Sequence, residues 1–269
     1  MVKEPHMQLP SLSREQIHQF QSRSVLHLPG ALSPKETQTL RQWVAQTEAW
    51  DEAPGHWMKY FENTVHDERR LCRVEHFIEY HDGLKRLICG QETMACLECL
   101  MGEAAVLFKE KINFKLPGGN GFKAHQDAPA FQSFGPDYHI TMMVSVDDTT
   151  LENGGLEFAH WTRNDHLLEQ AADLTIPQHI ENQLSWYPLT TKAGDILFFD
   201  SFIPHRSGIN TSSQSRRVLY ITYNHRQAGD VRETYYAAKR KAFPPECERE
   251  PGVDYTSRAG QFNVGNPIK

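Results

Sequence analysis

The fold is decided by residues 105–127, which read AVLFKEKINFKLPGGNGFKAHQD. Apolar side chains alternate with lysines and one asparagine through residues 105–116, and this period of two predicts a β-strand. A turn rich in Pro and Gly follows at residues 117–121, and a second extended stretch leads into His125. Further strands are predicted at residues 139–146, 156–158, 196–199 and 217–223, with turn residues between them. This part of the chain therefore predicts a jelly-roll barrel.

The residues before this stretch predict helices. Ser13 and Gln16 match the capping-box pattern, and Ser33 with Glu36 matches it more strongly because Pro34 stands at the first helical position. An amphipathic run follows at residues 39–50, and helical patterning returns at residues 83–101. The predicted fold class is therefore mainly β with a helical buttress.

We expect one domain over residues 1–269, because no linker or internal repeat interrupts the chain. Its parts are a largely helical front at residues 1–102, a jelly-roll core at 103–225, and a C-terminal helix with an irregular arm at 226–269. Residues 163–188 predict an excursion between strands that is partly helical.

Composition excludes several classes of protein. The net charge of −6 argues against a nucleic-acid partner. No apolar run approaches the roughly 18 residues that a membrane span needs, and the N-terminus lacks the apolar segment of a secretory signal. The five cysteines are an odd number without disulfide spacing, which predicts reduced thiols in a cytoplasmic protein. We therefore expect a small-molecule substrate, and no pattern specifies an oligomeric state.

Three residues predict a metal site. His125 and Asp127 are two positions apart on a predicted strand, so both side chains can point into a barrel mouth, and His205 follows the strand ILFFD. Two imidazoles and one carboxylate leave coordination positions open, as Fe(II) requires when it must also bind a cosubstrate and dioxygen. The alternative is a chance combination of core and surface residues, because the spacing His-x-acid also occurs at His179 and Glu181.

Arg216 predicts where the cosubstrate binds. Its guanidinium offers a fixed bidentate fork to a carboxylate, and Ser207 can donate a hydroxyl to the same group. If the strands of His205 and Arg216 are neighbours, Arg216 lies one cosubstrate length from the metal. Arg217 must point to the opposite face, where we expect it to be solvated.

The chain resembles the phytanoyl-CoA dioxygenase family of Fe(II)/2-oxoglutarate oxygenases. The resemblance lies in KINFKLPGGNGFKAHQD at residues 111–127, in Asn-Gly-Gly-Leu at 153–156, and in GDILFFDSFIPHRSGIN with the later Ser-Arg-Arg. It implies a double-stranded β-helix, with His125, Asp127 and His205 as iron ligands. It also implies that Arg216 and Ser207 hold the distal carboxylate of 2-oxoglutarate. Asn113 corresponds to an asparagine that contacts the cosubstrate in the ectoine hydroxylase branch.

The resemblance implies hydroxylation of a substrate C–H bond with O2, while 2-oxoglutarate becomes succinate and carbon dioxide. The turn at residues 157–163 departs from the Pro-Gly-Ser-His type of many members, which weighs against an acyl-CoA substrate. The segments WMKY at 57–60, KINFKLPGG and TYNHRQAGD are similar to the branch that hydroxylates small organophosphonates such as 2-aminoethylphosphonate, giving 1-hydroxy-2-aminoethylphosphonate. The alternatives are an oxygenase of a lipid, acyl-CoA or other metabolite, and a non-catalytic jelly-roll binding module.

The expected substrate residues are aromatic, cationic or polar. An aromatic face can hold an ammonium group, and Lys or Arg can hold a phosphonate. Gln126 would face the site only if the strand ends at His125. The predicted set is Lys59, Tyr60, Gln126, Trp161 and Arg163.

Overall fold

Two antiparallel β-sheets pack face to face at the centre of the protein. We analysed a computed structural model, which describes residue 7 and residues 9–63, 68–255 and 259–264. In chain order the strands are β1 (Val25–Leu28), β2 (Met58–Asn63), β3 (Arg69–Glu75), β4 (Ala105–Lys115), β5 (Phe122–His125), β6 (His139–Ser145), β7 (Leu156–Ala159), β8 (Trp186–Leu189), β9 (Ile196–Asp200), β10 (His205–Ser207) and β11 (Arg216–His225). The larger sheet has the order β1-β9-β6-β11-β4-β3-β2, and the smaller has the order β5-β10-β7-β8.

Helices lie mainly before and after the strands of the barrel. The α-helices are α1 (Arg14–Arg23), α2 (Pro34–Ala49), α3 (Asp82–Cys89), α4 (Gln91–Met101), α5 (Ala128–Phe131), α6 (Gln178–Glu181) and α7 (Arg232–Ala242). Short 3-10 turns lie at Ile78–Tyr80, Gln132–Phe134, Arg226–Ala228, Glu246–Glu248 and Gly260–Asn263. The predicted excursion at residues 163–188 contains only the short α6 and the start of β8 as regular structure. None of the helices in the described ranges is both long and apolar enough to cross a membrane.

Both predicted capping boxes are present. The Ser13 hydroxyl accepts a hydrogen bond from the Gln16 amide at 3.2 Å, and the Gln16 side chain accepts one from the Ser13 amide at 2.8 Å. The same reciprocal pair joins Ser33 and Glu36 at the start of α2. These bonds satisfy amides that have no partner inside the helix, so local sequence is sufficient to fix where both helices begin.

The predicted helical front also supplies three strands. β1 pairs with β9 at one edge of the larger sheet, while β3 pairs with β4 and carries β2 at the other edge. The β-structure therefore extends beyond the predicted core of residues 103–225. These strands are short, and partners distant in sequence stabilise them, so their own residues show little periodicity. The single-domain organisation of residues 1–269 stays a prediction.

The larger sheet has two different faces. Its outer face packs against α1 to α4 through residues such as Ile112, Phe114 and Leu219, all at most 1% exposed. Its inner face packs against the smaller sheet, where Val218 and Phe199 contact the cluster that contains Phe158. Burial of each large apolar side chain contributes roughly 1.5–3 kcal/mol. Because Ile112 and Phe114 occupy the outer face, the lysines and Asn113 that alternate with them on β4 lie on the inner face, towards the smaller sheet and not towards solvent.

The strands of His205 and Arg216 are not neighbours, so the pairing that the sequence analysis considered as a condition does not occur. β10 lies between β5 and β7 in the smaller sheet, whereas β11 lies between β6 and β4 in the larger sheet. The turns between them are long enough for the chain to cross from one sheet to the other. Arg216 and His205 therefore reach the interior from opposite sheets.

Candidate active site

The three predicted metal ligands converge at one end of the barrel. Each offers one ligand atom, and these atoms all lie within 4.8 Å of one another. His125 ends β5 and His205 begins β10, and the two residues are direct partners in the pairing of these strands. The His125 Nε2 is 3.7 Å from an Asp127 carboxylate oxygen. The sequence motif therefore corresponds to one compact group of donors.

Asp127 does not reach this group by strand alternation. β5 ends at His125, and Asp127 has helical dihedrals of φ −76° and ψ −30° at the start of α5. The Ala128 amide donates to the Ser201 carbonyl at 2.9 Å and fixes this turn against the chain that leads to His205. The first helical turn thus directs the carboxylate towards the two imidazoles.

Backbone carbonyls orient both imidazoles. Nδ1 of His125 lies 2.7 Å from the Lys123 carbonyl oxygen, and Nδ1 of His205 lies 3.1 Å from the Ile203 carbonyl oxygen. When Nδ1–H donates to a carbonyl, Nε2 carries the free lone pair that a metal requires. The two rings are thereby held in the tautomer that suits coordination.

The charges of the three groups also suit a metal. Burial, with a smaller effect from His205, lowers the pKa of His125 to about 3, and burial also lowers the pKa of His205. Burial alone would raise the pKa of Asp127, but the neighbouring histidines and lysines outweigh it and hold this pKa at about 2. At neutral pH the site therefore offers two neutral imidazoles and one carboxylate, the forms that bind metal.

A cavity adjoins these ligands. Asn113 and Ser207, both predicted to contact the cosubstrate, line it together with Tyr220 and Thr222 of β11. The full lining is Lys109, Lys111, Asn113, Phe122, His125, Asp127, Thr141, Leu156, Phe199, His205, Ser207, Tyr220 and Thr222. The inner face of the larger sheet thus forms one wall, and the metal ligands form part of the other.

Arg216 lies on the same face of β11 as Tyr220 and is only 1% exposed. Within the part of the chain that the structure describes, its Nε and Nη1 have no hydrogen-bond partner. A buried guanidinium without partners is costly, and a carboxylate satisfies it with strong charge-assisted bonds. The next residue, Arg217, is not simply solvated as expected, because it forms a bidentate ion pair with Asp147 at 2.8 and 3.0 Å.

Lys115 is a further cation beside Arg216 that the sequence analysis did not select. It is the direct partner of Arg216 in the pairing of β4 with β11. Its Nζ donates to the Ser207 hydroxyl at 2.9 Å and to the Gly208 carbonyl at 2.8 Å. Burial, with Arg216 as the next cause, lowers the pKa of Lys115 to about 6. The sequence signal that could have found Lys115 is its position two residues after Asn113, which puts both side chains on the same face of the strand.

A second cavity shares the wall residues Lys109, Lys111, His125 and Asp127 with the first. Its remaining walls come from β3, from β5, from α5, from α7 and from the C-terminal residues. They are Arg73, Glu75, Phe122, Ala130, Phe131, Tyr235, Lys239, Gln261, Phe262, Asn263 and Val264. Sequence reasoning missed this cavity, because β3 was not predicted and α7 is distant from the metal ligands in the chain.

The five predicted substrate residues are absent from the lining of both cavities within the described ranges. Lys59 lies on the outer face of β2, and its Nζ donates to the Glu48 and Trp50 carbonyls at the end of α2. Tyr60 is 1% exposed, and its hydroxyl donates to the Phe243 carbonyl at 2.7 Å. Both side chains hold backbone in place instead of facing the ligands.

The other three predicted substrate residues also have structural contacts. The Gln126 side chain donates to the Phe202 and His166 carbonyls and accepts from the Leu168 amide, so its amide group is fully used. Trp161 packs against the core between the two sheets. The Arg163 Nε lies 3.8 Å from a buried Asp200 oxygen. The expected substrate position at these residues therefore lacks support from the structure.

The residues present fit Fe(II) and 2-oxoglutarate. A buried set of two imidazoles and one carboxylate is the donor set of non-haem iron oxygenases. The unpartnered guanidinium of Arg216 supplies what the distal carboxylate of a dicarboxylate cosubstrate needs. The donor set thus suits a metal, and Arg216 offers unpaired N–H groups to an acid.

Comparison with known proteins identifies the family. The family profile of phytanoyl-CoA dioxygenase matches residues 20–218. The chain belongs to the phytanoyl-CoA dioxygenase family. It is 50% identical over 258 residues to a 2-aminoethylphosphonate dioxygenase from uncultured bacterium HF130_AEPn_1, which covers 96% of this chain and 98% of that protein. It is 41% identical over 233 residues to a methylphosphonate hydroxylase from Gimesia maris, covering 87% of this chain and 88% of that protein.

Solved structures share the fold. The crystal structure of EctD from S. alaskensis with 2-oxoglutarate and 5-hydroxyectoine superposes with a TM-score of 0.68 at 15% identity, covering 84% of this chain and 82% of that one. The predicted double-stranded β-helix is confirmed by this likeness, and the predicted dioxygenase class is confirmed by the family match. The predicted cofactors, Fe(II) and 2-oxoglutarate, agree with both.

Proposed function

We propose that this protein is an Fe(II)- and 2-oxoglutarate-dependent dioxygenase that hydroxylates a small phosphonate, and that 2-aminoethylphosphonate is its substrate. The observation that carries the substrate is the 50% identity, over nearly the whole chain, to a 2-aminoethylphosphonate dioxygenase. The expected products are 1-hydroxy-2-aminoethylphosphonate, succinate and carbon dioxide. We also expect the protein in the cytoplasm, since all five of its cysteines are free thiols.

His125, Asp127 and His205 would hold the iron, which supplies the redox chemistry that activates dioxygen as 2-oxoglutarate is oxidised. The protein contributes a fixed ligand geometry, because each imidazole is oriented by a backbone carbonyl. With three protein ligands, the iron would keep coordination positions for the cosubstrate and dioxygen.

Arg216 and Ser207 would hold the distal carboxylate of 2-oxoglutarate. Arg216 contributes two unpaired N–H directions, and Lys115 orients the Ser207 hydroxyl by donating to it. Asn113, which accepts a hydrogen bond from Arg73, lines the same cavity and can contact the cosubstrate. These residues fix the length and orientation of a five-carbon diacid relative to the metal.

The other candidate functions are less well supported. Methylphosphonate is the second candidate substrate, because a methylphosphonate hydroxylase is 41% identical. An acyl-CoA is disfavoured because lysines, an arginine and carboxylates line the cavities where an acyl chain would need apolar walls. A non-catalytic binding module is disfavoured because all three metal ligands and the buried arginine are present.

The test is succinate release by the purified enzyme with Fe(II), 2-oxoglutarate and O2. The panel contains 2-aminoethylphosphonate, methylphosphonate, phytanoyl-CoA and no substrate, and phosphorus NMR identifies the hydroxylated product. His205→Ala is the inactive control. Succinate and product should form in equal amounts with 2-aminoethylphosphonate. Coupled turnover with phytanoyl-CoA alone would reject the proposal.

A further inference from the structure

We propose that Lys109 and Lys111 bind the phosphonate group of the substrate beside the metal and thereby select it over other acid groups. The inference rests on the proposed function and deepens it, because no comparison assigns a role to either lysine. It replaces the substrate position expected from the sequence at Lys59 and Arg163.

The two lysines lie between both cavities. They are two residues apart on β4, where Lys109 pairs with Thr222 and Lys111 pairs with Tyr220 of β11. Their side chains therefore point to the same inner face of the sheet. Both residues line the first cavity and the second, as do His125 and Asp127. A group bound by these ammonium ions thus lies next to the candidate metal ligands.

The other two cations of the second cavity already have partners. Lys239 donates to both oxygens of Glu75 at 2.6 Å, and Arg73 lies 3.2 Å from the same carboxylate. Lys109 and Lys111 differ from them. Within the described ranges they contact aromatic rings, with Lys109 Nζ 4.1 Å from the Phe131 centroid, and they form no ion pair or hydrogen bond. Two ammonium groups with three donors each are therefore available to a ligand.

The charge balance of the second cavity favours a dianion. Among the described residues, four basic side chains, Arg73, Lys109, Lys111 and Lys239, line this cavity with two carboxylates, Glu75 and Asp127. Burial lowers the pKa values of Lys109 and Lys111, so the cavity penalises their charge until an anion offsets it. A phosphonate carries up to two negative charges and three acceptor oxygens, whereas a sulfonate or a carboxylate carries one charge. The pair of free lysines matches the phosphonate.

The chemistry of the reaction agrees with this position. In 2-aminoethylphosphonate the carbon that becomes hydroxylated is bonded directly to phosphorus. A phosphonate held at Lys109 and Lys111 therefore brings that C–H bond to the side of His125 and Asp127. The aminoethyl end is then free to extend along the second cavity.

The test measures binding and turnover with three acids that share an aminoethyl group: 2-aminoethylphosphonate, 2-aminoethanesulfonate and 3-aminopropanoate. Calorimetry under anaerobic conditions, on enzyme loaded with Fe(II) and 2-oxoglutarate, gives the affinities. The variants are Lys109→Met and Lys111→Met, which remove the charge and nearly keep the volume, and Lys111→Arg, which keeps the charge. Lys192→Met is the matched control, because its side chain is 80% exposed in a surface ion pair.

Each Met variant should weaken 2-aminoethylphosphonate binding by about tenfold or more, because a charge-assisted hydrogen bond is lost. Lys111→Arg should keep more affinity than Lys111→Met because it keeps the charge, and Lys192→Met should stay close to wild type. The KM for 2-oxoglutarate and the melting temperature should hardly change, whereas succinate formed without hydroxylated product should increase.

Three results would overturn parts of this reasoning separately. Wild-type turnover of 2-aminoethylphosphonate with unchanged affinity in both Met variants would reject the lysine site and leave the proposed function intact. An equal loss of affinity for all three acids would reject selection of the phosphonate. Wild-type enzyme that binds iron and 2-oxoglutarate but neither binds nor oxidises any phosphonate would reject the proposed function itself.

Discussion

Replacing Arg216 by Met should separate cosubstrate binding from folding. The guanidinium is 1% exposed, and its Nε and Nη1 have no hydrogen-bond partner among the described residues. A bound carboxylate would accept hydrogen bonds from both nitrogens. Breaking a buried charge-assisted pair from one side costs about 2–5 kcal/mol, and the lower value alone corresponds to roughly thirtyfold in affinity. We therefore expect the KM for 2-oxoglutarate to rise about thirtyfold or more. The melting temperature without cosubstrate should stay level or rise, since an unpaired buried charge is costly.

Arg217→Met is the matched control for this experiment. Arg217 lies on the opposite face of β11, 22% exposed, in its ion pair with Asp147. A partly exposed pair contributes about 1 kcal/mol or less, so this variant should melt slightly lower and keep its KM. Succinate formation at varied 2-oxoglutarate gives the KM, and the thermal shift that 2-oxoglutarate produces gives an independent affinity. A larger KM change in Arg217→Met than in Arg216→Met would refute the assignment of faces on β11.

Further predictions concern the metal, a proton and the core. His125→Ala, Asp127→Ala and His205→Ala should each abolish turnover and sharply weaken Fe(II) binding in a chelator competition, with circular dichroism unchanged; iron-dependent activity in all three would exclude the proposed site. Because burial and Arg216 lower the pKa of Lys115 to about 6, this amine is neutral at pH 7.5, and an arriving carboxylate should raise its pKa and draw in a proton. Calorimetry in buffers of different ionisation enthalpy should show uptake at pH 7.5, less at pH 5.5, and none in Lys115→Met; equal uptake in that variant would assign the proton elsewhere. Phe114→Ala, at a site 1% exposed, should lower the free energy of unfolding by about 3–5 kcal/mol in urea, and a loss below about 1 kcal/mol would contradict the packing described.

The sequence predicts some parts of this molecule better than others for physical reasons. The helix starts at Ser13 and Ser33 were predictable because capping depends on residues three positions apart. The donor set was predictable because His125 and Asp127 are only two positions apart in the chain, although the route of the carboxylate was not, since β5 ends at His125, two residues before Asp127. β1 to β3 were missed because their stability comes from distant partners.

The substrate residues predicted from the sequence do not line the two cavities, because a strand has two faces and both faces of this sheet are covered. The aromatic and cationic character of residues 56–60 indicated a binding wall, but Lys59 faces α2 on the outer side. The lysines of β4 alternate with apolar residues in a pattern that is typical of a solvent-exposed face. Only the second sheet and α7, which close over that face, turn it into the interior of a cavity.

One strand supplies both ends of the catalytic cavity with polar groups. The inner face of β4 carries Lys109, Lys111, Asn113 and Lys115 in sequence, from the metal ligands towards Arg216. Successive inner residues of a strand are separated by about 6.8 Å, so this row of four residues extends over about 20 Å, enough to contact the substrate at one end and the cosubstrate at the other. A substitution at Lys109 or Lys111 can change the acid group that the protein accepts, while Asn113 and Lys115 at the cosubstrate end stay intact. A one-residue insertion within the strand would instead turn the inner side chains beyond it to the opposite face of the sheet. Specificity in this fold can therefore change by point substitution of the inner residues, but not by insertion within β4.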